Sequence, residues 1–79
     1  MYYDDLQAHR EMAGMRKAEL ADAANLDRTT VHRIEKHHKS TVETLTRIVN
    51  VLNEAYFEAR GIAIDPKKVI TAKSRYGGE

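Results

Sequence analysis

Lys17-Ala18-Glu19-Leu20-Ala21-Asp22-Ala23-Ala24, then Asn25-Leu26-Asp27, then Arg28-Thr29-Thr30-Val31-His32-Arg33-Ile34-Glu35-Lys36: the reading of residues 17–36 decides the fold. Leu20, Ala21 and Ala24 fall on one stripe of a short helix, and Val31 and Ile34 on one side of a second. Two such helices pack closely only where a small side chain lets the backbones approach, and Ala21 supplies it. The connection needs a residue that tolerates positive φ, and Asn25, four positions after Ala21, is one of the few non-glycine types that does. Asp27 is a good cap for the second helix. Leu26, Val31 and Ile34 then hold that helix on the core side. Arg28, Thr29, His32, Arg33 and Lys36 share the other side, which has no carboxylate, and Glu35, the one acid of the helix, lies between the two.

Working outward, helix signals dominate. Asp4 is placed to cap a first helix, with Gln7 closing a capping box. Tyr3, Leu6, Arg10 and Ala13 follow at helical spacing, and Gly14 stops them. Arg16 stands where the helix of residues 17–24 needs its cap and is a poor one, while Glu19 suits the positive end of the helix dipole. After the basic loop His37-His38-Lys39, Ser40 and Glu43 form a second capping box. Val42, Leu45, Ile48, Val49, Leu52, Ala55, Tyr56 and Ala59 keep helical rhythm as far as Arg60, and Gly61 ends it, with Asn53 a point where the run can split. Tyr56 and Phe57 are adjacent, so only one is expected in the core, leaving the other for a partner. Asp65-Pro66 reads as a cap and first residue of a short helix. Ile62/Ile64 and Val69/Thr71 alternate instead, as two short strands around a turn. Residues 76–79 are expected to fray. The expected fold is all-α: a bundle of four to five helices with a central helix-turn-helix over residues 1–60. Residues 61–79 form a C-terminal extension, a dimerisation segment or a basic arm.

Composition narrows the function. A chain of 79 residues holds one domain and one modest core, so pairing with a second copy is a natural source of extra stability. There is no cysteine to form a disulfide or a thiolate zinc site, which suits a reducing cytoplasm. The opening Met1–Asp5 lacks a basic region followed by an apolar run, and no apolar stretch approaches the roughly 20 residues that span a bilayer; a cytoplasmic location is expected. The formal net charge of +1 hides an uneven distribution. Arg28, Arg33, Lys36 and Lys39 face only Glu35 within residues 28–39. Arg60, Lys67, Lys68, Lys73 and Arg75 face only Asp65 within residues 60–75, whereas residues 1–11 are net acidic. A charge run alone is usually a solvated face; here it coincides with a helix whose free side fits a DNA major groove about 12 Å wide.

At that point the chain resembles a known family. Gly14-Met15, Glu19-Leu20-Ala21, Ala24-Asn25-Leu26, Arg28-Thr29-Thr30-Val31, Arg33-Ile34-Glu35 and Val42-Glu43-Thr44-Leu45 follow the pattern of the helix-turn-helix domain of phage repressors, Cro proteins and their XRE-like bacterial relatives, over residues 6–52. The chain departs from it at Asn25 for the turn glycine, at Arg16 for a serine or threonine cap, and at His9 where an aliphatic residue is usual. The resemblance implies a lambda-repressor-like fold and a structural ion pair between Arg10 and Glu35. It places Arg28, Thr29 and Arg33 at base-reading positions, with His32 on the same face. Arg16 and Lys17 are expected on phosphate, aided by free N–H groups of the helix start, and Lys36, His37, His38 and Lys39 on the backbone beyond. The implied function is transcriptional regulation through double-stranded DNA, as a repressor on a palindromic operator. One domain touches few bases, so a homodimer is expected, its seam formed by the end of the long helix and residues 61–72.

Three other readings compete with this one. His32, His37 and His38 invite a metal, but none lies at the i, i+4 spacing that shares a helix face, and no metal or other cofactor is expected. Ser40 and Ser74 have no surrounding nucleophile motif and the chain has little volume for a pocket, so no enzyme is expected. The rival is an antitoxin- or antirepressor-like module that grips another protein (a toxin, a repressor or polymerase) through the apolar stripe from Leu52 to Ile64.

Overall fold

A computed structural model of the chain describes residues 1–76. Strand β1 (Tyr2–Tyr3) leads into α1 (Leu6–Met12), α2 (Lys17–Ala23), α3 (Arg28–His37) and α4 (Val42–Leu52). A π-helical turn (Asn53–Phe57) and a 3₁₀ turn (Glu58–Arg60) prolong α4, and α5 (Pro66–Val69) and β2 (Ile70–Thr71) complete the fold. Leu6, Leu20, Ala21, Ala24, Val31, Ile34, Leu45, Ile48, Val49 and Leu52 meet in one buried core with Tyr3, Phe57 and Ile70. Each large apolar side chain closed off in this way contributes about 1.5–3 kcal/mol.

The α2–α3 turn is built as its residues require. Ala24 ends α2, Asn25 takes φ 58°, and the Leu26 N–H donates to the Ala21 carbonyl at 2.7 Å. Ala21 is buried where the helices meet, and Leu26 is half-buried against the core. Gly14 and Gly61, both at φ 71°, end α1 and the α4 extension.

Several caps differ from expectation. Asp4 does not cap α1. Asp5 holds that position without a side-chain bond, and the Gln7 amide donates instead to Glu11 at 3.2 Å. Asp4 is drawn away by the chain's tail, as described below. At α4 the cap is Thr41 rather than Ser40: its Oγ1 accepts from the Thr44 N–H at 3.1 Å, because the Ser40 backbone is engaged with Met1. Asp27 occupies the α3 cap position in extended conformation, with no side-chain bond.

The long helical run does split at Asn53. Its side-chain amide donates to the Ile64 carbonyl at 2.9 Å and its oxygen accepts from the Ile64 N–H at 2.7 Å, folding residues 61–72 back along α4. In the π-helical turn the Glu58 N–H reaches back to Asn53, inserting an extra residue into the turn. The core positions are therefore Leu52 and Phe57, while Ala55 and Ala59 are exposed, against the expected rhythm. The same widening corrects the expectation of one free aromatic. Phe57 is buried, and Tyr56 packs on the core beneath the Arg60 guanidinium, 4.0 Å above its ring.

The extension supplies both a short helix and a strand. Asp65 caps α5 by accepting from the Lys67 N–H at 3.0 Å, with Pro66 at the first helical position. Strand β2 finds its partner at the other end of the chain rather than at Ile62–Ile64: Tyr2 pairs with Thr71 and Tyr3 with Ile70, antiparallel. On its other side β1 bridges to Lys39, with Tyr3 N–H donating to the His38 carbonyl at 2.8 Å and Ser40 N–H to the Met1 carbonyl at 3.0 Å. The first three residues thus tie the loop after α3 to the C-terminal extension. The fraying expected for residues 76–79 falls, beyond Tyr76, outside the described residues.

Candidate nucleic-acid interface

Helix α3 is held along one side by Val31 and Ile34, both buried. Residues three and four positions apart share a face, so Arg28, Thr29, His32, Arg33, Lys36 and His37 project outward, and all are exposed. Among the described residues, no carboxylate lies within ion-pairing distance of Arg28, Arg33, Lys36, Lys39 or Arg16.

The acid of this helix is taken out of play. Arg10 Nε donates to Glu35 Oε2 at 2.5 Å and its Nη2 to Oε1 at 3.3 Å, while Nη1 holds the Met15 carbonyl at 2.8 Å. The two side chains keep 11% and 5% of their exposure. A forked guanidinium matches a carboxylate with two parallel bonds, so the pair neutralises Glu35 and pins α3 to α1. What remains outward is uniformly cationic or neutral.

Lys17, half-buried at the start of α2, reaches across to α3, with its Nζ 3.1 Å from His32 Nδ1. Arg16 is exposed. Its backbone N–H donates to the Glu19 carboxylate at 2.7 Å. That half of a capping box makes good the missing side-chain cap.

His38 departs from its expected place on the phosphate side. It ends α3 with φ 64°, its ring stacks on Tyr76 at 5.2 Å, and its Nδ1 lies 3.9 Å from Asp4 Oδ1. The Asp4 side chain is only 3% exposed; it accepts from the Ser74 hydroxyl at 2.8 Å and from the Arg75 N–H. Burial opposes its charge, but these two donors with the nearby His38 and Arg75 outweigh it and hold the carboxyl below the usual carboxylate range. The Arg75 guanidinium also pairs with Asp5. The tail is therefore docked on the N-terminal segment as far as Tyr76. His37 stays exposed at the last residue of α3, and Lys39 on the following loop, which β1 holds by backbone bonds.

His9 fills its unusual position by sharing a 2.7 Å hydrogen bond between its Nδ1 and the buried Tyr3 hydroxyl, with its ring edge-on to Phe57. Burial lowers the His9 pKa, outweighing the pull of Asp5, and raises that of Tyr3. Neither this pair nor the Asp4 dock carries a short-range sequence signal; both join residues through tertiary contact.

A helix-turn-helix family model matches residues 6–58, two thirds of the chain and the whole of α1 to α4. The chain belongs to the helix-turn-helix family. No curated protein and no solved structure matches it. As a helix-turn-helix protein of the phage-repressor and Cro-like kind, it is a DNA-binding transcription regulator. The family is regulatory rather than enzymatic. No helix among the described residues is long and apolar enough to cross a membrane.

Proposed function

We propose that this helix-turn-helix protein is a repressor that occupies a palindromic operator in the cytoplasm as a homodimer. Helix α3 lies in the major groove with Arg28, Thr29, His32 and Arg33 toward base edges. Arg16, Lys17, Lys36, His37 and Lys39 meet the flanking phosphates. The observation that carries the reading is the outer side of α3, cationic and free of carboxylates on a rod anchored by Val31 and Ile34. An arginine in such a place most often forks onto guanine O6 and N7, which is worth about 1–3 kcal/mol of discrimination.

Two half-sites about 34 Å apart, read by two copies, supply the selectivity that one copy lacks. Apolar surface for the seam remains in the folded-back segment, where Ile62 is 53% exposed, and in a groove between Met1, Val42, Pro66 and Ile70. Within the stripe from Leu52 to Ile64 that favoured a protein-binding module, the large side chains Leu52 and Phe57 are buried and Tyr56 and Ile64 pack on the core, which leaves Ile62 as its one large exposed apolar residue.

Gel shift tests the reading. The chain binds random duplex at low salt and loses affinity steeply as salt rises. Arg33→Ala weakens specific binding and relaxes preference at one base position, whereas Lys39→Ala weakens binding to every sequence and flattens the salt slope by about one. An Arg33→Ala chain with unchanged affinity and base preference refutes the docking. Light scattering that finds a monomer both free and on DNA refutes the dimer.

A further inference from the structure

Lys17 and His32 join the two helices of the motif by their side chains. The Lys17 ammonium, 3.1 Å from His32 Nδ1, has three donors and no lone pair. The contact therefore requires the lone pair on Nδ1, which puts the ring proton on Nε2. The same two side chains line two neighbouring recesses. One, of about 280 Å³, is shared with Arg28 and Thr29, and the other, of about 360 Å³, with Arg10, Glu35 and Lys36. The pair is the wall common to both, so the ring is braced from α2 on the outward side of α3. Among the described residues, no protein group bonds Nε2.

We propose that Lys17 is a positioning residue for base selection: it fixes the His32 ring as a single Nε2–H donor presented to the groove. A lone donor suits an acceptor on a base edge, namely a purine N7, guanine O6 or thymine O4. It rejects cytosine, whose major-groove edge offers only the N4 donor. The proposal rests on the duplex-reading function above and adds to it. Lys17 then governs which base is accepted at the His32 position, beyond any charge it lends to the phosphate backbone.

The test uses the full chain with Lys17→Met and Lys17→Arg, the second of which keeps a cationic donor. Ring ¹⁵N shifts of His32 in the DNA-free protein, at a pH where the ring is neutral, report the tautomer. The wild type and Lys17→Arg show a single Nε2–H form, and Lys17→Met shows a mixture. Selection from randomised duplexes reports the base. The wild type enriches an acceptor at one position; Lys17→Met keeps the rest of the site and loses roughly two- to tenfold preference there, the weight of one hydrogen bond. Lys17→Arg restores it. Unchanged ring shifts and base preference in Lys17→Met overturn the proposal, as does an equal loss of affinity for all sequences, the mark of a phosphate contact alone. A wild type that selects no sequence overturns the duplex reading and this proposal with it, whereas a selected site with no Lys17 dependence overturns this proposal alone.

Discussion

Replacing Arg10 by methionine removes the two bonds to Glu35 and the bond to the Met15 carbonyl, and leaves the Glu35 carboxylate in a place that is 5% exposed. A charge left without its partner in a buried site typically costs about 3–5 kcal/mol. The Arg10 site keeps 11% exposure, which admits some water and puts the expected loss near the lower end, about 3 kcal/mol. A domain of this size has a total stability of about 4–12 kcal/mol, and each kcal/mol moves Tm by about 4–8 °C. The single variant should therefore melt at least about 12 °C below the wild type, followed by circular dichroism. Removing the stranded charge as well, in Arg10→Met/Glu35→Leu, should recover most of the loss, because a well-packed apolar pair is close to neutral against a buried ion pair. A single variant within about 1 kcal/mol of wild type, or a double variant no better than the single, would show that the pair is effectively solvated and refute the reasoning.

Asn53→Ala strands both the Ile64 N–H and carbonyl and should cost about 1–3 kcal/mol, with faster amide exchange at Ile64 in hydrogen-exchange experiments. His9 is held neutral by burial, so its native pKa lies below its ordinary 6.5. Only the unfolded chain takes up that proton as pH first falls through 6.5, so this part of the stability is full above that value and is lost below it, toward the native pKa. Urea midpoints should drop between pH 7 and pH 5, and Tyr3→Phe/His9→Leu should flatten that part of the profile. Asn25→Ala forces an ordinary side chain to φ 58° and should destabilise by about 1–2 kcal/mol, whereas Asn25→Gly is tolerated, by thermal melts.

The motif was legible because its constraints are local. A small residue, a turn residue four positions later and an apolar pair on one side of the next helix specify how α2 and α3 pack, and Ala21, Asn25, Val31 and Ile34 take those places. Misread features involve residues far apart in sequence. Asp4 looks like a cap until Ser74 and Arg75 arrive to claim its carboxylate, and Ser40 until Met1 claims its backbone. Helical periodicity runs on past Leu52 in the sequence because nothing in a 3.6-residue repeat signals a π-helical turn; Asn53, a poor interior helix residue, marks the break but not its geometry. The strand partner of Ile70–Thr71 is illegible for a similar reason, since the two residues Tyr2–Tyr3 carry no alternation. The outward face of α3 follows from spacing alone, but its freedom from ion pairs and the Lys17–His32 contact arise only when α2 and α3 pack together.

Backbone amide shifts recorded while the chain is titrated with a duplex carrying its selected site test the central claim most directly. The account predicts that the large changes fall in residues 16–17 and 28–39, with the far side of α4 and the α5 segment unmoved except where a second copy joins. Changes centred instead on residues 52–64, with α3 silent, would contradict it.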